Sequence, residues 1–205
     1  MRGLLFTILV IIVIAVVIVM LRRRRSQSHS QNSSAQQAQR RTPRDPLAPE
    51  VGTGGDPLTI RAGDILEFGD DKCFVRGSLI LSMGGSTWKE HFFQSDTTTS
   101  RRWLTVEEDP DLQMSVWHDR PDWELTPHAK TLTVEDTTYE MVEKGSGSYT
   151  SEGTTGLKSQ GGFDYVDYES PQGHMLSFER FDHGPWEVST GETVTPGSFT
   201  IYPGS

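Results

Sequence analysis

From Leu58 to the C-terminus, apolar and polar positions alternate along the chain with a period of two. Such alternation buries one face of a strand and leaves the other solvated, as is typical of antiparallel sheets. Breaks rich in Gly, Pro and Asp separate the runs every few residues, and no helix is predicted. The runs cover residues 66–68, 73–75, 79–81, 88–93, 103–106, 112–117, 132–134, 139–141, 163–168, 175–179, 186–188 and 199–201. The pattern therefore predicts an all-β domain of antiparallel strands.

The second half of this region repeats the first half at offsets of about 66–72 residues. For example, the run Trp103–Glu107 resembles Met175–Glu179. Residues 60–118 and 130–203 are thus predicted to form two related β-meanders of about four strands each. Together, residues 58–205 are enough for one domain. A barrel or a two-sheet sandwich would protect the sheet edges, and the sequence leaves both open.

The N-terminus carries a different pattern, an 18-residue apolar run from Leu4 to Leu21. A helix of this length is about 27 Å long, which just spans a hydrocarbon layer of about 30 Å. A cleaved signal peptide is the alternative, but its apolar region is shorter and ends in a small-residue cleavage site. Here four arginines follow at once: Arg22, Arg23, Arg24 and Arg25. We expect a retained transmembrane anchor over residues 1–25.

The arginine cluster also predicts how the chain is oriented in the cell membrane. Positive residues favour the cytoplasmic side, and the cluster outweighs Arg2 on the other side of the run. The expected topology is a single-pass protein with its N-terminus outside and its β-domain in the cytoplasm. Residues 26–57 are rich in Ser, Gln, Arg and Pro, and their low hydrophobicity predicts a disordered linker.

Charge divides the chain at the end of this linker. Up to Pro57 there are eight basic and three acidic residues, whereas the remainder has 11 basic and 25 acidic residues. An acidic domain disfavours nucleic acid, because nucleic-acid binding needs clustered Lys and Arg. Cationic partners, including polyamines or a basic protein face, are compatible with it, although simple solubility explains the charge equally well.

No catalytic, cofactor-binding or metal site is predicted. Cys73, the only cysteine, stands in a strand-like run and is interpreted as a buried hydrophobe. Residues 153–159 lack the Gly-Lys step of a phosphate loop and predict a mobile hairpin loop. The glycine-rich stretch Gly145–Gly162 has a lid or partner-binding loop as its alternative.

Two sets of neighbouring acidic and histidine residues are interpreted as solvent-exposed. Glu179, Asp182 and His183 are assigned to a strand end and a turn, and Glu90 with His91 to a solvent-facing pair, since neither has metal-ligand spacing. The five tryptophans are expected to pack in the core, with an interaction patch where any is exposed. The candidate interaction surface comprises Trp103, Glu107, Glu179, Arg180 and Trp186.

Several stretches resemble the bacterial "domain of unknown function 4178" family over roughly Ile60 to Pro203. The stretches are Gly63–Leu66, Arg102–Glu108, Thr150–Gly156, Leu176–Phe181 and Gly184–Ser189. The resemblance implies a bacterial protein of membrane-stress or polyamine-linked systems, and it brings no catalytic residues with it. The anchor and linker lie outside the similar region.

Two hypotheses about function remain open at this point. One is a non-enzymatic, membrane-anchored binding or scaffolding module with a protein partner at the membrane. The other is a β-barrel carrier or enzyme for a small, polyamine-like ligand, with aromatic walls and an acidic mouth. A cavity with convergent polar groups favours the second hypothesis, and a filled interior excludes it.

Overall fold

The computed structural model describes residues 55–95, 98 and 100–204. Within them the chain forms eleven strands and one 3₁₀ turn, Pro57–Thr59, and no α-helix. The strands are β1 (Ile65–Phe68), β2 (Asp71–Met83), β3 (Ser86–Ser95), β4 (Arg102–Glu108), β5 (Leu112–Asp119), β6 (Thr131–Val134), β7 (Thr137–Gly153), β8 (Gln160–Glu169), β9 (Met175–Phe181), β10 (Glu187–Thr193) and β11 (Thr200–Tyr202). Every pairing between them is antiparallel, which confirms the all-β prediction.

Eight of the strands form a closed ring of hydrogen-bonded neighbours. The meander β2-β3-β4-β5 is followed by β10-β9-β8-β7, and the ring closes where β7 pairs with β2. Strands β1 and β11 extend the sheet from the first residues of β2, and β6 extends it from the first residues of β7. The two four-stranded meanders predicted from the sequence thus pair with each other at both seams, β2–β7 and β5–β10.

The two halves share the same succession of pairings. Each begins with a short strand paired to the start of a long one, β1 with β2 and β6 with β7. Each long strand also has a register shift near its beginning, between Val75 and Gly77 in β2 and between Met141 and Glu143 in β7. Each irregularity therefore lies between the segment of the long strand that pairs with the short strand and the segment that pairs across the seam.

Apolar side chains pack in three clusters. One lies between the first meander, β1 and β11 and includes Leu66, Phe93 and Leu104. A second lies on the second meander and β6 and includes Tyr168 and Phe178. The side chains of these two clusters lie on the same face of the ring strands. The third cluster lies on the opposite face, which is the inner face of the ring, and consists of Leu79, Leu81, Tyr149, Phe163 and Tyr165.

Residues 154–159 connect the antiparallel strands β7 and β8, which confirms the hairpin loop predicted over residues 153–159. The rest of the glycine-rich stretch Gly145–Gly162 is strand, with residues 145–153 in β7 and residues 160–162 in β8, so the alternative of a lid or partner-binding loop over the whole stretch is wrong. Its glycines give room to aromatic rings from neighbouring strands, because a Cβ atom at Gly145 would collide with Met83 and Tyr165. The glycines therefore mark close packing across strands, which the sequence pattern alone does not separate from flexibility.

Candidate functional site

The inner face of the ring encloses a cavity of about 220 Å³ to which all eight ring strands contribute. Because side chains alternate along a strand, every second residue of each strand faces this space. On β4, Leu104 and Val106 pack in the first apolar cluster, whereas Trp103, Thr105 and Glu107 line the cavity. The remaining lining residues are Met83, Ser86, Trp88, Glu90, Trp117, Asp119, Glu143, Tyr165, Asp167, Ser177, Glu179, Phe181, Glu187 and Ser189.

The lining is strongly acidic. It contains seven carboxylates and, among the residues that the structure describes, no Lys, Arg or His. Three carboxylates come from the first meander and four from the second: Glu90, Glu107 and Asp119, then Glu143, Asp167, Glu179 and Glu187. Such a concentration of like charge in a confined space is costly unless protons or cations neutralise it.

Three carboxylates at the centre carry most of this cost. Glu90 is only 7% exposed, and burial raises its pKa to about 7, with a smaller contribution from Asp167. Burial also raises the pKa of Asp167 to about 6. The pKa of Glu179 lies well above its usual range because of burial and the charges of Glu90 and Asp167. These three carboxylates therefore keep their protons to a higher pH than carboxylates in water do.

Hydrogen bonds fix two of these central groups. The Trp88 indole Nε1 donates to Glu90 Oε1 over 3.2 Å, and the Ser177 hydroxyl donates to Asp167 Oδ1 over 2.6 Å. Among the described residues no basic side chain forms an ion pair with Glu90, Asp167 or Glu179. Their negative charge remains available to a ligand in the cavity.

The other four carboxylates extend the acidic lining away from the centre. Glu143 lies opposite Asp167 in the β7–β8 register. The pKa of Glu107 is raised by burial and by the charges of Asp109 and Glu143. Asp119 differs from the rest because Arg101 lies 3.2 Å from its carboxylate. Glu187 lies opposite Glu179 in the β9–β10 register. Only the Asp119 side of the cavity thus has a basic partner within the described chain.

Tryptophans from the first meander give the cavity an aromatic wall. Trp117 Nε1 donates to Thr105 Oγ1 over 2.9 Å, and the ring covers Gly191 of the second meander. Trp103 packs against Phe92, with ring centroids 5.1 Å apart. Trp88 meets Tyr165 edge-on at 6.3 Å. Indole faces beside carboxylates attract organic cations through cation–π interactions as well as charge.

A second, more open groove of about 740 Å³ adjoins the cavity, since Asp119 and Glu187 line both. Its walls include Arg101, Arg120 and three apolar side chains, Trp123, Leu125 and Trp186. The Arg120 guanidinium lies 3.7 Å from the centre of the Trp123 ring. The groove combines stacked arginines with aromatic surface, which is the composition of many protein-binding surfaces.

The predicted interaction surface is divided between these places. Trp103, Glu107 and Glu179 line the cavity, whereas Trp186 lines the groove. Arg180 lies 4.5 Å from the Trp186 ring centre and pairs with Asp164 over 2.8 Å. The five residues therefore do not form one continuous surface.

The structure corrects the two interpretations of acidic groups as solvated. Glu90 and His91 are 7% and 0% exposed, so they are not a solvent-facing pair. Glu179 is half-buried and faces the cavity, while Asp182 and His183 are exposed in the predicted turn. Glu90 and Glu179 were assigned wrongly for one reason, since the polar faces of their strands line the ring interior and are not turned to bulk water. His91 lies on the opposite face of β3, where it is buried beside Ser78.

Several cavity residues were missed by the sequence analysis, above all Asp167, Glu143 and Glu187. The available signal was the recurrence of one carboxylate on the polar face of most predicted strands, at positions that alternate with core residues. Solvated strands carry the same pattern, so only the meeting of the strands identifies it as a site.

Away from the cavity, the titratable side chains of Cys73 and His91 are buried in protein. Cys73 is fully buried, as predicted, and burial raises the pKa of its thiol to about 11. His91 Nδ1 and Ser78 Oγ lie 2.8 Å apart, but the histidine is fully buried and its pKa is lowered to about 4, chiefly by burial. Among the described residues no three His, Cys, Asp or Glu side chains are arranged to hold a metal ion.

The predicted anchor Leu4–Leu21 and its flank Arg22–Arg25 lie outside the described residues. Within residues 55–95, 98 and 100–204 no helix is both long and apolar enough to cross a membrane.

Comparisons with known proteins identify relatives without an assigned role. A family model described as "Domain of unknown function (DUF4178)" matches residues 61–196. The chain is also similar to uncharacterized proteins of Mycobacterium bovis and Mycobacterium tuberculosis, with 37% identity over 168 residues. The alignment covers 78% of this chain and 80% of each relative. No solved structure matches the chain.

Proposed function

Since this chain belongs to the DUF4178 family, whose description names no activity, we propose that its β-domain is a non-enzymatic binding module for a small organic cation. The ligand occupies the cavity inside the ring. The observation that carries the proposal is the lining of seven carboxylates and three tryptophans without a basic side chain. The family match also confirms the resemblance identified from the sequence.

The electrostatics of the empty cavity support a cation as ligand. Buried carboxylates with raised pKa values destabilise the folded state when they ionise, and a bound cation offsets that cost. The tryptophan faces favour an organic cation, because they contribute cation–π attraction and apolar contact to its carbon atoms. A ligand that binds by these interactions needs no reacting group in the wall, which agrees with a binding role.

The size of the cavity limits the ligand to a small molecule. A volume of about 220 Å³ holds about seven water molecules at about 30 Å³ each. It is slightly smaller than the roughly 300–1,000 Å³ typical of drug-sized ligands. The ligand is therefore smaller than a typical drug-sized molecule.

We also propose the setting in which this module works. The chain is a single-pass membrane protein with a transmembrane helix at Leu4–Leu21, its N-terminus outside and its β-domain in the cytoplasm. The length of the apolar run and the arginines after it support this topology. A fusion of alkaline phosphatase to the C-terminus tests it, since the reporter is inactive in the cytoplasm and active outside.

The ring itself is proposed to be a barrel made by duplication of one β-meander. Support comes from the matched hairpins β1–β2 and β6–β7 and from the equivalent bulges near Arg76 and Val142. A duplication explains why each meander contributes acidic residues to the same interior.

Thermal unfolding of the full chain in non-ionic detergent tests cation binding. We expect n-butylamine, tetramethylammonium or 1,4-diaminobutane to raise the melting temperature in a saturable way, while sodium butyrate at equal ionic strength does not. Glu179→Gln weakens the response because it removes a central carboxylate, and Glu169→Gln, an exposed position on β8, leaves it unchanged. The proposal fails if no amine acts, or if both variants respond like the wild type.

A second candidate function is the binding of a protein partner at the membrane. The observation that favours it is the groove with Arg120, Trp123 and Trp186. Crosslinking in membranes should recover a defined partner with the wild-type chain, and Arg120→Glu should lose it while Lys72→Glu, exposed on β2, retains it. Recovery of the same partner with both variants would contradict a role of the groove.

A further inference from the structure

The cavity carboxylates form a row and not a single cluster. Glu187 and Asp119 lie beside Glu179 towards one end, Glu107 and Glu143 lie towards the other end, and Glu90 and Asp167 lie between them. After burial, the charges of Glu90, Asp167, Glu187 and Asp119 raise the pKa of Glu179, whereas Asp109 and Glu143 act in the same way on Glu107. The pairing of β3 with β4 also places Glu90 near Glu107, because Glu90 lies opposite Thr105 and Thr105 is two residues before Glu107. Such diagonal neighbours have Cα atoms about 7–8 Å apart.

An apolar surface connects the inner and outer parts of this row. Trp88 donates to Glu90 at the inner part, and its ring meets Tyr165 edge-on. Tyr165 lies opposite Glu179 in the β8–β9 register, while burial and the carboxylate of Glu143 raise the pKa of its hydroxyl. Its ring therefore extends from the inner carboxylates towards the outer ones. A chain of methylene groups can pack against this surface while charged groups sit at either end.

Neither part of the row has a basic partner among the described residues. Arg101 compensates Asp119 at the other side of the cavity, but no ion pair reaches Glu90, Glu179, Glu107 or Glu143. Glu90 is more than nine-tenths buried, and its single hydrogen bond to Trp88 leaves its other carboxylate oxygen free for a ligand. One positive charge would neutralise only one part of the row.

We infer that the ligand is a linear molecule with two cationic nitrogens joined by a short methylene chain. The inner nitrogen is held by Glu90, Asp167 and Glu179, and the outer nitrogen by Glu107 and Glu143. The methylene chain lies against Trp88 and Tyr165. A diamine with four to six methylene groups has six to eight non-hydrogen atoms, which agrees with the size of the cavity. This inference rests on the proposed function, and it specifies the number and spacing of the charges.

Isothermal titration calorimetry of the full chain in non-ionic detergent tests the inference with matched pairs of probes. The probes are 1,4-diaminobutane against n-butylamine and 1,6-diaminohexane against n-hexylamine, at pH 7.5 and constant ionic strength. We expect each diamine to bind at least about tenfold more tightly than its monoamine, because a second ammonium gains a charge-assisted contact. Equal affinities within each pair overturn the inference but leave cation binding intact.

Variants at the outer end assign the second charge to its site. Glu107→Gln is expected to reduce the diamine affinity to the monoamine level and to leave the monoamine affinity within about twofold of the wild type. Glu108→Gln is the matched control, since it removes the same charge from the next, exposed residue of β4. Glu143→Gln, at an exposed position, repeats the test without disturbing β4.

The outcomes separate the two proposals. A diamine preference that persists in both Glu107→Gln and Glu143→Gln overturns the placement of the outer nitrogen. Absence of binding by all four amines refutes the proposed function itself. Loss of the preference in Glu107→Gln and Glu143→Gln, but not in Glu108→Gln, supports the linear dication.

Discussion

At the scale of single residues, the main feature is a set of three carboxylates, Glu90, Asp167 and Glu179, with raised pKa values and no ion-pair partner among the described residues. Two effects oppose each other at Glu90. The hydrogen bond from Trp88 favours the ionised carboxylate, but burial disfavours it more strongly and raises the pKa to about 7. The folded protein binds the Glu90 proton more tightly than the unfolded chain does, where the pKa is near 4.5. This contribution to stability is therefore full below about pH 4.5 and is lost as the pH rises through 7.

The variant Glu90→Gln tests whether ionisation of Glu90 destabilises the folded protein at high pH. The neutral amide cannot ionise, so we expect the variant to be more stable than the wild type by about 1–3 kcal/mol at pH 8 and nearly equal to it at pH 4.5. Urea unfolding at the two pH values measures the difference. Glu108→Gln should shift neither value by more than about 0.5 kcal/mol, and a destabilised Glu90→Gln at pH 8 would refute the assigned cost.

Gly191 shows how tightly the cavity wall is packed. A Cβ atom there would lie 2.5 Å from the Trp117 ring. We expect Gly191→Ala to cost about 1–3 kcal/mol of unfolding free energy, because the indole must move and its hydrogen bond to Thr105 is disturbed. Gly162→Ala is the control, since its Cβ atom would make an ordinary contact at 3.6 Å. Equal losses in the two variants would contradict the packing argument.

At the scale of elements, the long strands β2 and β7 close the ring. Residues 71–74 of β2 pair with β1, and residues 77–82 pair with β7. In the same way β7 pairs first with β6 and later with β2. A bulge bends a strand and increases its twist, so the irregularities near Arg76 and Val142 let each long strand leave one neighbour and join another. Two ordinary meanders thereby become one closed structure.

Leu81→Ala tests the contribution of this seam. Leu81 is fully buried in the cluster at the inner face and lies opposite Trp88 in one register and Tyr149 in the other. We expect a loss of about 2–5 kcal/mol, as for other leucines that leave a cavity when truncated. Phe74→Ala on the same strand, where the ring is 42% exposed, should cost less than about 1 kcal/mol in the same denaturant titration.

At the scale of the whole molecule, the proposed cation binding would be linked to protonation. Between about pH 4.5 and 7 the acidic interior favours the protonated, ligand-free domain. His91 acts in the opposite direction on stability, because its folded-state pKa of about 4 lies below the ordinary 6.5. That stabilising contribution is full above pH 6.5 and is lost as the pH falls through 4. A ligand cation must displace protons to occupy the ring.

We therefore expect amine binding to tighten as the pH rises. The affinity for 1,4-diaminobutane should increase at least about tenfold between pH 5 and 8, as Glu90 and Asp167 ionise. Near pH 6.5, calorimetry in two buffers of different ionisation enthalpy should detect the release of protons on binding. Glu90→Gln should release fewer protons, and an affinity that is independent of pH would contradict the linkage.

How far the sequence leads can be seen from Trp103, Thr105 and Glu107. Their alternation with Leu104 and Val106 predicts a strand and separates two faces correctly. The alternation does not tell whether the polar face of the strand faces bulk water or the polar faces of other strands, because both arrangements give a period of two. Glu179 was interpreted as solvated for this reason, although its partners in the cavity come from β3, β8 and β10.

The all-β class, the charge division and the family could be predicted from the amino-acid sequence, because these properties depend on local spacing and composition. The pairings of β2 with β7 and of β5 with β10 could not be predicted, since they join residues distant in the chain and leave no periodic signal. Ring closure brought seven carboxylates from separate polar faces together around one cavity. The proposed function depends on that meeting, because the same carboxylates dispersed over a solvated surface would attract no specific cation.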